Sequence, residues 1–134
     1  MAKKILLIED DLPTIDVYET VLKKAGFGIE TIRWGEEALN KVRKIKEGKT
    51  ERPDLVLLDL ILPDINGIRV LEEIRNYEET KDIPVFVLTN YADERLEKMG
   101  YNLKAEKYLL KTEFNPRELV EIIKEQLGED DPIR

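Results

Sequence analysis

The length and composition of this chain, 134 residues of which 42% are hydrophobic, predict one packed domain. Its net charge of −7 argues against DNA binding by this chain alone, and no apolar run is long enough to span a bilayer. Because cysteine and histidine are both absent, thiolate chemistry is excluded, any phosphoryl-carrying imidazole must come from a partner, and the composition fits the cytoplasm.

Short β-prone runs alternate with stretches of helical periodicity along the chain. The predicted strands are Ile5 to Ile8, Ile29 to Ile32, Leu55 to Leu58, Val85 to Leu88 and Tyr108 to Leu110. Three helical stretches end in glycine, at Gly26, Gly48 and Gly128. Asn115 and Pro116, with Glu118 behind them, predict the start of the last helix. Gly100 interrupts the fourth helical stretch, which we therefore expect to be weak and mobile.

Five strands alternating with five helices predict an α/β domain with a parallel sheet and helices on both faces. In such open sheets the ligand site lies beyond the carboxyl ends of the strands. The residues that follow the predicted strands are Glu9, Asp10 and Asp11; Arg33 and Trp34; Asp59; Thr89 and Asn90; and Lys111. The sequence therefore brings acid, hydroxyl and ammonium groups to one edge of the sheet.

The acidic residues at this edge predict a cation site. If Asp10 and Asp59 approach within about 4 Å, their repulsion is roughly 4 kcal/mol at an effective dielectric constant of 20. Oxygen ligands without histidine or cysteine select a hard ion, and the set suits Mg²⁺. The alternative is that these carboxylates only cap the first helix and face water, and this is the role that we expect for Asp11, close to Pro13.

Four ordered segments carry a family resemblance: "LLIEDD", "PDLVLLDLILPDINGIRVLEEIR", "PVFVLTN" and "KYLLK". In these the chain resembles the receiver domains of two-component response regulators, over about residues 3 to 127. The resemblance implies a flavodoxin-like (βα)5 three-layer sandwich with a five-stranded parallel sheet of order 2-1-3-4-5. It assigns residues 1–127 to the receiver domain and leaves 128–134 as a short tail.

The resemblance also implies a phosphoryl-accepting site. Asp59 would be the phosphoacceptor, and Asp10, Asp59 and the backbone carbonyl of Ile61 would hold Mg²⁺. Glu9 would reach the ion mainly through water. A carboxylate can attack phosphorus to give an acyl phosphate while cations stabilise the phosphoryl oxygens, so the chemistry agrees with these roles.

Two residues are expected to contact the phosphoryl group and one to respond to it. By the resemblance, Thr89 and Lys111 would bind phosphoryl oxygens, and Tyr108 would turn inward when the threonine moves. Ile61 and Tyr91 lie two residues beyond Asp59 and Thr89, and neither carries a carboxylate or amide that could orient water. We therefore predict slow loss of the phosphoryl group.

The chain departs from the family pattern at several positions. Thr112 follows Lys111 where the family usually has proline, so the peptide bond before it can be trans or a strained cis. Asn90 replaces a small residue beside Thr89, and Lys104 replaces a frequent glycine.

The resemblance points to a signalling protein that is not an enzyme, and other functions remain open. Its expected partners are a histidine kinase or histidine phosphotransfer protein and a downstream target protein, with the chain a monomer or weak dimer. From the seven residues "GEDDPIR" after Leu127 we expect a stand-alone receiver whose output is a protein contact through the fourth helix, last strand and last helix. The alternatives are a receiver-like scaffold that acts without phosphorylation, a Mg²⁺-dependent phosphohydrolase and a flavin carrier, whose phosphate the segment "EDDLP" would repel.

Overall fold

A computed structural model describes residues 2–90 and 92–128, in which strands and helices alternate throughout. The strands are β1 (Lys4–Ile8), β2 (Gly28–Ile32), β3 (Leu55–Asp59), β4 (Val85–Thr89) and β5 (Lys107–Leu110). The helices are α1 (Leu12–Lys24), α2 (Gly35–Lys46), α3 (Ile68–Arg75), α4 (Glu94–Asn102) and α5 (Pro116–Leu127), and a 3-10 turn, Lys111–Glu113, precedes α5.

The five strands form one parallel sheet in the order β2-β1-β3-β4-β5, which confirms the predicted fold. The register aligns the carboxyl ends of the central strands: Asp59 pairs with Leu88, and Thr89 pairs with Leu110. Because all strands run the same way, the residues after them converge on one edge of the sheet. No helix within the described ranges is long and apolar enough to cross a membrane.

The core is divided between the two faces of the sheet. On β1, Leu6 and Ile8 pack with the apolar stripes of α2 and α3, whereas Ile5 and Leu7 pack with those of α1 and α5. Alternation of side chains along a strand produces this division. Strands β3 and β4 are buried along their whole length, as expected for strands covered on both faces.

The predicted helix ends are confirmed. Asp11 caps α1, since its carboxylate accepts from the Thr14 amide at 3.1 Å. Asn115 and Glu118 form a capping box at the start of α5. The three glycines that were expected to end helices adopt left-handed conformations, with φ of +98° at Gly26, +73° at Gly48 and +69° at Gly128.

Helix α4 is attached less firmly than the other helices of the described chain. Its apolar stripe, Leu96 and Met99, followed by Leu103, is only partly buried, and Gly100 is its one buried residue. A Cβ atom at Gly100 would lie 3.4 Å from Cδ2 of Tyr108, an ordinary van der Waals distance, so the tyrosine ring packs beside this glycine. Lys104, just beyond the helix, has a φ of +62°, which explains the frequent glycine of the family at this position.

Arg75, at the end of α3, joins three parts of the structure. Its guanidinium donates to the backbone carbonyls of Lys81, Ile83, Leu103 and Lys104, at 2.7–2.9 Å, and to a carboxylate oxygen of Glu106. Each of these acceptors belongs to the segment before β4 or to the segment between α4 and β5. Arg75 therefore fixes the carboxyl-terminal end of α4 to α3, on the same face of the sheet.

Candidate functional site

Three carboxylates meet at the carboxyl edge of the sheet. Glu9 and Asp10 follow β1 and Asp59 ends β3, and one oxygen from each lies within 4.8 Å of the others. Glu9 and Asp59 are only 1% and 6% exposed. The predicted convergence is therefore present, although Asp59 is the last residue of its strand and not the first residue after it.

Lys111 supplies the positive charge at this cluster. Its ammonium donates to Oε1 of Glu9 and, at 3.0 Å, to Oδ2 of Asp59. Burial alone would lower the pKa of Lys111, but the hydrogen bond to Glu9 and the charge of Asp59 raise it, so the ammonium stays protonated. Burial raises the pKa of Glu9 to about 7, although Lys111 acts against this shift. A single ammonium thus links β5 to β1 and β3.

The loop between β3 and α3, residues 60–67, orients the carboxylate of Asp59. The amide of Ile61 donates to Oδ1 of Asp59 at 2.9 Å, so the two carboxylate oxygens have different partners. Gly67 has an ordinary φ of −60°, but a Cβ atom there would lie 2.6 Å from the carbonyl oxygen of Asp59. Glycine is therefore required here for the close approach of the backbone, and not for backbone freedom.

Thr89 and Tyr108 lie on neighbouring strands at the same edge. Thr89 is the buried last residue of β4, and Val87, two residues earlier, pairs with Tyr108. Since residues two apart share a face of a strand, Thr89 and Tyr108 face the same side of the sheet. The Tyr108 hydroxyl is buried without a hydrogen-bond partner among the described residues. Burial raises the pKa of Tyr108, and Asp93 and Glu97 add to the effect.

Exposed side chains surround the carboxylates. Trp34 and Ile61 are each 49% exposed, so Trp34 is a surface aromatic. Asn90 is exposed and lines, with Lys111 and residues of α1, a cleft of about 300 Å³. The Lys111–Thr112 peptide bond is trans. Tyr91, the second residue proposed to control dephosphorylation, lies outside the described residues.

Sequence reasoning missed Asp64, which joins the loop of residues 60–67 to α2. Its Oδ1 accepts from the Gly35 amide at 2.8 Å and its Oδ2 from the Glu36 amide at 2.9 Å. The hydrogen bond from Glu36 contributes most to lowering the pKa of Asp64, opposed by partial desolvation. One signal in the sequence could have revealed this cap. Trp34, at the N-cap of α2, has no side-chain oxygen that could accept hydrogen bonds from the first amides of the helix.

The donor set fits a magnesium ion. Glu9, Asp10 and Asp59 offer oxygen atoms alone, and hard oxygen ligands in partly hydrated sites are those that Mg²⁺ selects. The chain has no cysteine, and no histidine, so softer ligands are excluded. The ammonium of Lys111 pairs with two of these carboxylates, Glu9 and Asp59, as expected for a cluster of like charges that attracts cations.

Comparison with known proteins agrees with this geometry. The family model described as response regulator receiver domain matches residues 5–124. Curated relatives include the alkaline phosphatase synthesis transcriptional regulatory protein PhoP of Bacillus subtilis, 34% identical over 119 residues, which are 89% of this chain and 46% of the relative. The CpxR homolog of Haemophilus influenzae is 38% identical over 121 residues, 90% of this chain and 48% of the relative. The chain thus spans about half the length of these relatives.

Solved structures show the same fold. The phosphorylated cyanobacterial phytochrome response regulator RcpA superposes with a TM-score of 0.80 at 34% identity, covering 94% of this chain and 91% of that one. The Mn(2+)-bound form of response regulator Rcp1 gives 0.83 at 31% identity, covering 96% and 97%. A CheY-like receiver domain protein from Methanospirillum hungatei gives 0.83 at 30% identity, covering 96% of both chains.

Proposed function

This chain belongs to the response regulator receiver domain family, and on that premise we propose that Asp59 accepts a phosphoryl group from a phosphohistidine of a kinase or phosphotransfer partner. Phosphorylation-dependent signalling is the function of the family; the phosphoacceptor, the donor and the output surface are our assignments. The donor histidine must belong to a partner because this chain has none. The cleft beside Lys111, between α1 and the segment before α5, lies where such a partner would approach.

The arrangement supports direct transfer to a carboxylate. An oxygen of Asp59 attacks phosphorus as the bond from phosphorus to the imidazole nitrogen breaks, and the nitrogen keeps the electron pair. Lys111, 3.0 Å from Asp59, is close enough to exchange its carboxylate contact for a phosphoryl oxygen, and the Thr89 hydroxyl would bind another. A magnesium ion held by Glu9, Asp10, Asp59 and the Ile61 carbonyl would neutralise charge on the phosphoryl group.

One observation carries the proposal: the buried ammonium of Lys111, which directly follows β5, is shared by carboxylates that follow β1 and end β3. A surface lysine in an ordinary ion pair would be exposed, whereas the side chain of Lys111 is 8% exposed. A buried ammonium next to the proposed nucleophile stabilises developing negative charge in the transfer.

The proposal is tested by mass spectrometry after treatment with acetyl phosphate and Mg²⁺. We expect the wild type to gain one phosphoryl group, Asp59→Asn to gain none, and the matched control Asp16→Asn, an exposed residue of α1, to behave as the wild type. An unmodified wild type, or an equal gain in Asp59→Asn, would overturn the assignment and favour a receiver-like scaffold that acts without phosphorylation.

We propose that the output surface is formed by α4, β5 and α5 and contacts a target protein. Support comes from the partial burial of α4 and from Tyr108, which connects β5 to Gly100 of this helix. The M. tuberculosis relative MtrA is named a DNA-binding response regulator, and this chain spans 53% of it. The region of that relative that lies outside the match is therefore nearly as large as the matched region, and its DNA binding is not transferred to this chain.

A further inference from the structure

We propose that Asp64 is a positioning residue for the phosphoacceptor: by capping α2 it fixes the loop of residues 60–67, whose Ile61 amide orients Asp59. The inference rests on the proposed role of Asp59. It is carried by a continuous series of contacts that runs from the first turn of α2 to the reactive carboxylate.

The first contact in this series is a helix cap supplied from another part of the chain. The first amides of a helix have no intrahelical acceptor, and Trp34 at the N-cap provides none. Both oxygens of Asp64 fill this need, accepting from Gly35 and Glu36 at 2.8 and 2.9 Å. The cap therefore joins segments 29 residues apart.

The second contact is the packing of Ile65 on Gly35. A Cβ atom at Gly35 would lie 2.2 Å from Cγ1 and 2.7 Å from Cδ1 of Ile65, distances that no side chain can occupy. Gly35 is buried and its φ lies outside the left-handed region, so the close approach of Ile65 is what requires a glycine. The loop is thus held against α2 by a hydrogen-bonded carboxylate and by an adjacent apolar contact.

The third step connects this anchored loop to Asp59. Residues Ile61 and Asn66 form an isolated bridge, and the Gly67 amide donates to the Leu60 carbonyl at 2.8 Å, so the two ends of the loop are fixed to each other. The Ile61 amide then donates to Oδ1 of Asp59 at 2.9 Å. A displacement of residues 64 and 65 is therefore transmitted to the group that orients the carboxylate.

The test must separate this role from simple helix capping. Asp64→Ala removes both the cap of α2 and the link between α2 and the loop of residues 60–67. Gly35→Ala displaces this loop but keeps the Asp64 carboxylate. Trp34→Ser gives α2 a cap of its own, since Trp34 has the extended backbone of an N-cap and Glu37 stands three residues later, as a capping box needs. The double variant Trp34→Ser with Asp64→Ala therefore restores the cap but not the link to the loop, and Trp34→Ser alone is its control.

Three quantities are measured: the thermal midpoint, the initial rate of phosphorylation by acetyl phosphate, and the Ile61 amide resonance without Mg²⁺. Since an error of 1 Å in placement can cost about 100-fold, we expect Asp64→Ala and Gly35→Ala to react about tenfold more slowly than the wild type. Both should shift the Ile61 resonance. The double variant should have the thermal midpoint of the wild type, but its phosphorylation rate and its Ile61 amide resonance should remain those of Asp64→Ala.

Recovery of the rate together with the midpoint in the double variant would show that Asp64 only caps α2. A wild-type rate with an unmoved Ile61 resonance in both single variants would likewise overturn the inference. If the wild type itself takes up no phosphoryl group, the proposed function fails. In that case the Ile61 resonance still decides whether Asp64 positions the loop.

Discussion

The ammonium nitrogen of Lys111 lies 3.0 Å from Oδ2 of Asp59, and the same nitrogen contacts Glu9. In the absence of a phosphoryl group and a metal ion, this lysine is the cation that allows the carboxylates to remain buried together. Its role in stability can therefore be measured separately from its role in transfer.

Lys111→Ala should destabilise the protein in metal-free buffer. Removing one partner of a buried ion pair leaves an uncompensated charge, and we expect the free energy of unfolding to fall by about 3 kcal/mol. Magnesium at ten times its dissociation constant should restore about 1.4 kcal/mol of this. Urea unfolding with and without Mg²⁺ measures both effects, with the exposed Lys98→Ala as control. A variant as stable as the wild type without metal would contradict the prediction.

Lys104→Gly should stabilise the protein. A non-glycine residue at φ +62° carries backbone strain that glycine lacks, partly offset by the greater entropy of glycine in the unfolded chain. We expect a net increase of about 0.5 kcal/mol in the free energy of unfolding. Lys104→Ala serves as control, because it removes the same side chain and keeps the strain; a rise of the same size in both variants would exclude relief of strain as the cause.

Tyr108 should change its environment on activation. A buried hydroxyl without a partner costs about 1–3 kcal/mol, so a ring position in which it finds one is favoured once Thr89 moves. NMR of ring-labelled tyrosine with beryllofluoride and Mg²⁺ should show shifted Tyr108 signals. Tyr77, whose hydroxyl donates to Glu73 on the α2–α3 side, is the internal control. Unchanged Tyr108 signals in the activated protein would disprove the switch.

The phosphorylated protein should lose its phosphoryl group slowly, and Ile61→Asn with Tyr91→Glu should accelerate the loss. The Ile61 side chain is half-exposed beside Asp59 and has no polar atom to orient water. Replacing both side chains by groups that bind water should shorten the lifetime by about tenfold or more. Decay is followed by mass spectrometry in one Mg²⁺ buffer. An equal lifetime of variant and wild type would assign control to another residue, such as Asn90.

The fold and most of the carboxylate cluster could be predicted from sequence because both depend on local signals. Buried strands such as Leu55 to Leu58 are continuous apolar runs, and the topology of a parallel sheet brings their ends together. Strand ends were misplaced by one residue at Asp59 and Thr89, because burial inside the sheet allows a polar side chain to complete a strand. Helix ends were correct where the signal was local, as at Gly26 and at the capping box of Asn115 and Glu118.

The contacts that were missed join distant segments: Lys111 was expected at the same edge of the sheet as Glu9 but not in a direct ion pair with it, and Asp64 was not singled out. Lys111 meets Glu9 across 102 residues, and Asp64 meets Gly35 across 29. Contacts over such sequence separations produce no periodic pattern from which they could be recognised. The packing of Gly100 beside the ring of Tyr108 was also hidden, because the ring belongs to the next strand.

The hydrogen bonds of Arg75 give α4 two ends of unequal freedom. The carbonyls of Leu103 and Lys104 are fixed to α3, whereas the first turn of α4 is secured by the exposed cap of Asp93. We therefore expect α4 to move as a rigid helix that pivots at the end held by Arg75. At 1.5 Å per residue, its nine residues span about 13 Å. A tilt of roughly 5° then displaces the other end of the helix by about 1 Å. The spread of distances from a spin label on α4 to the sheet should accordingly be widest for a label near Asp93 and narrowest for one near Leu103, and Arg75→Gln should remove this difference.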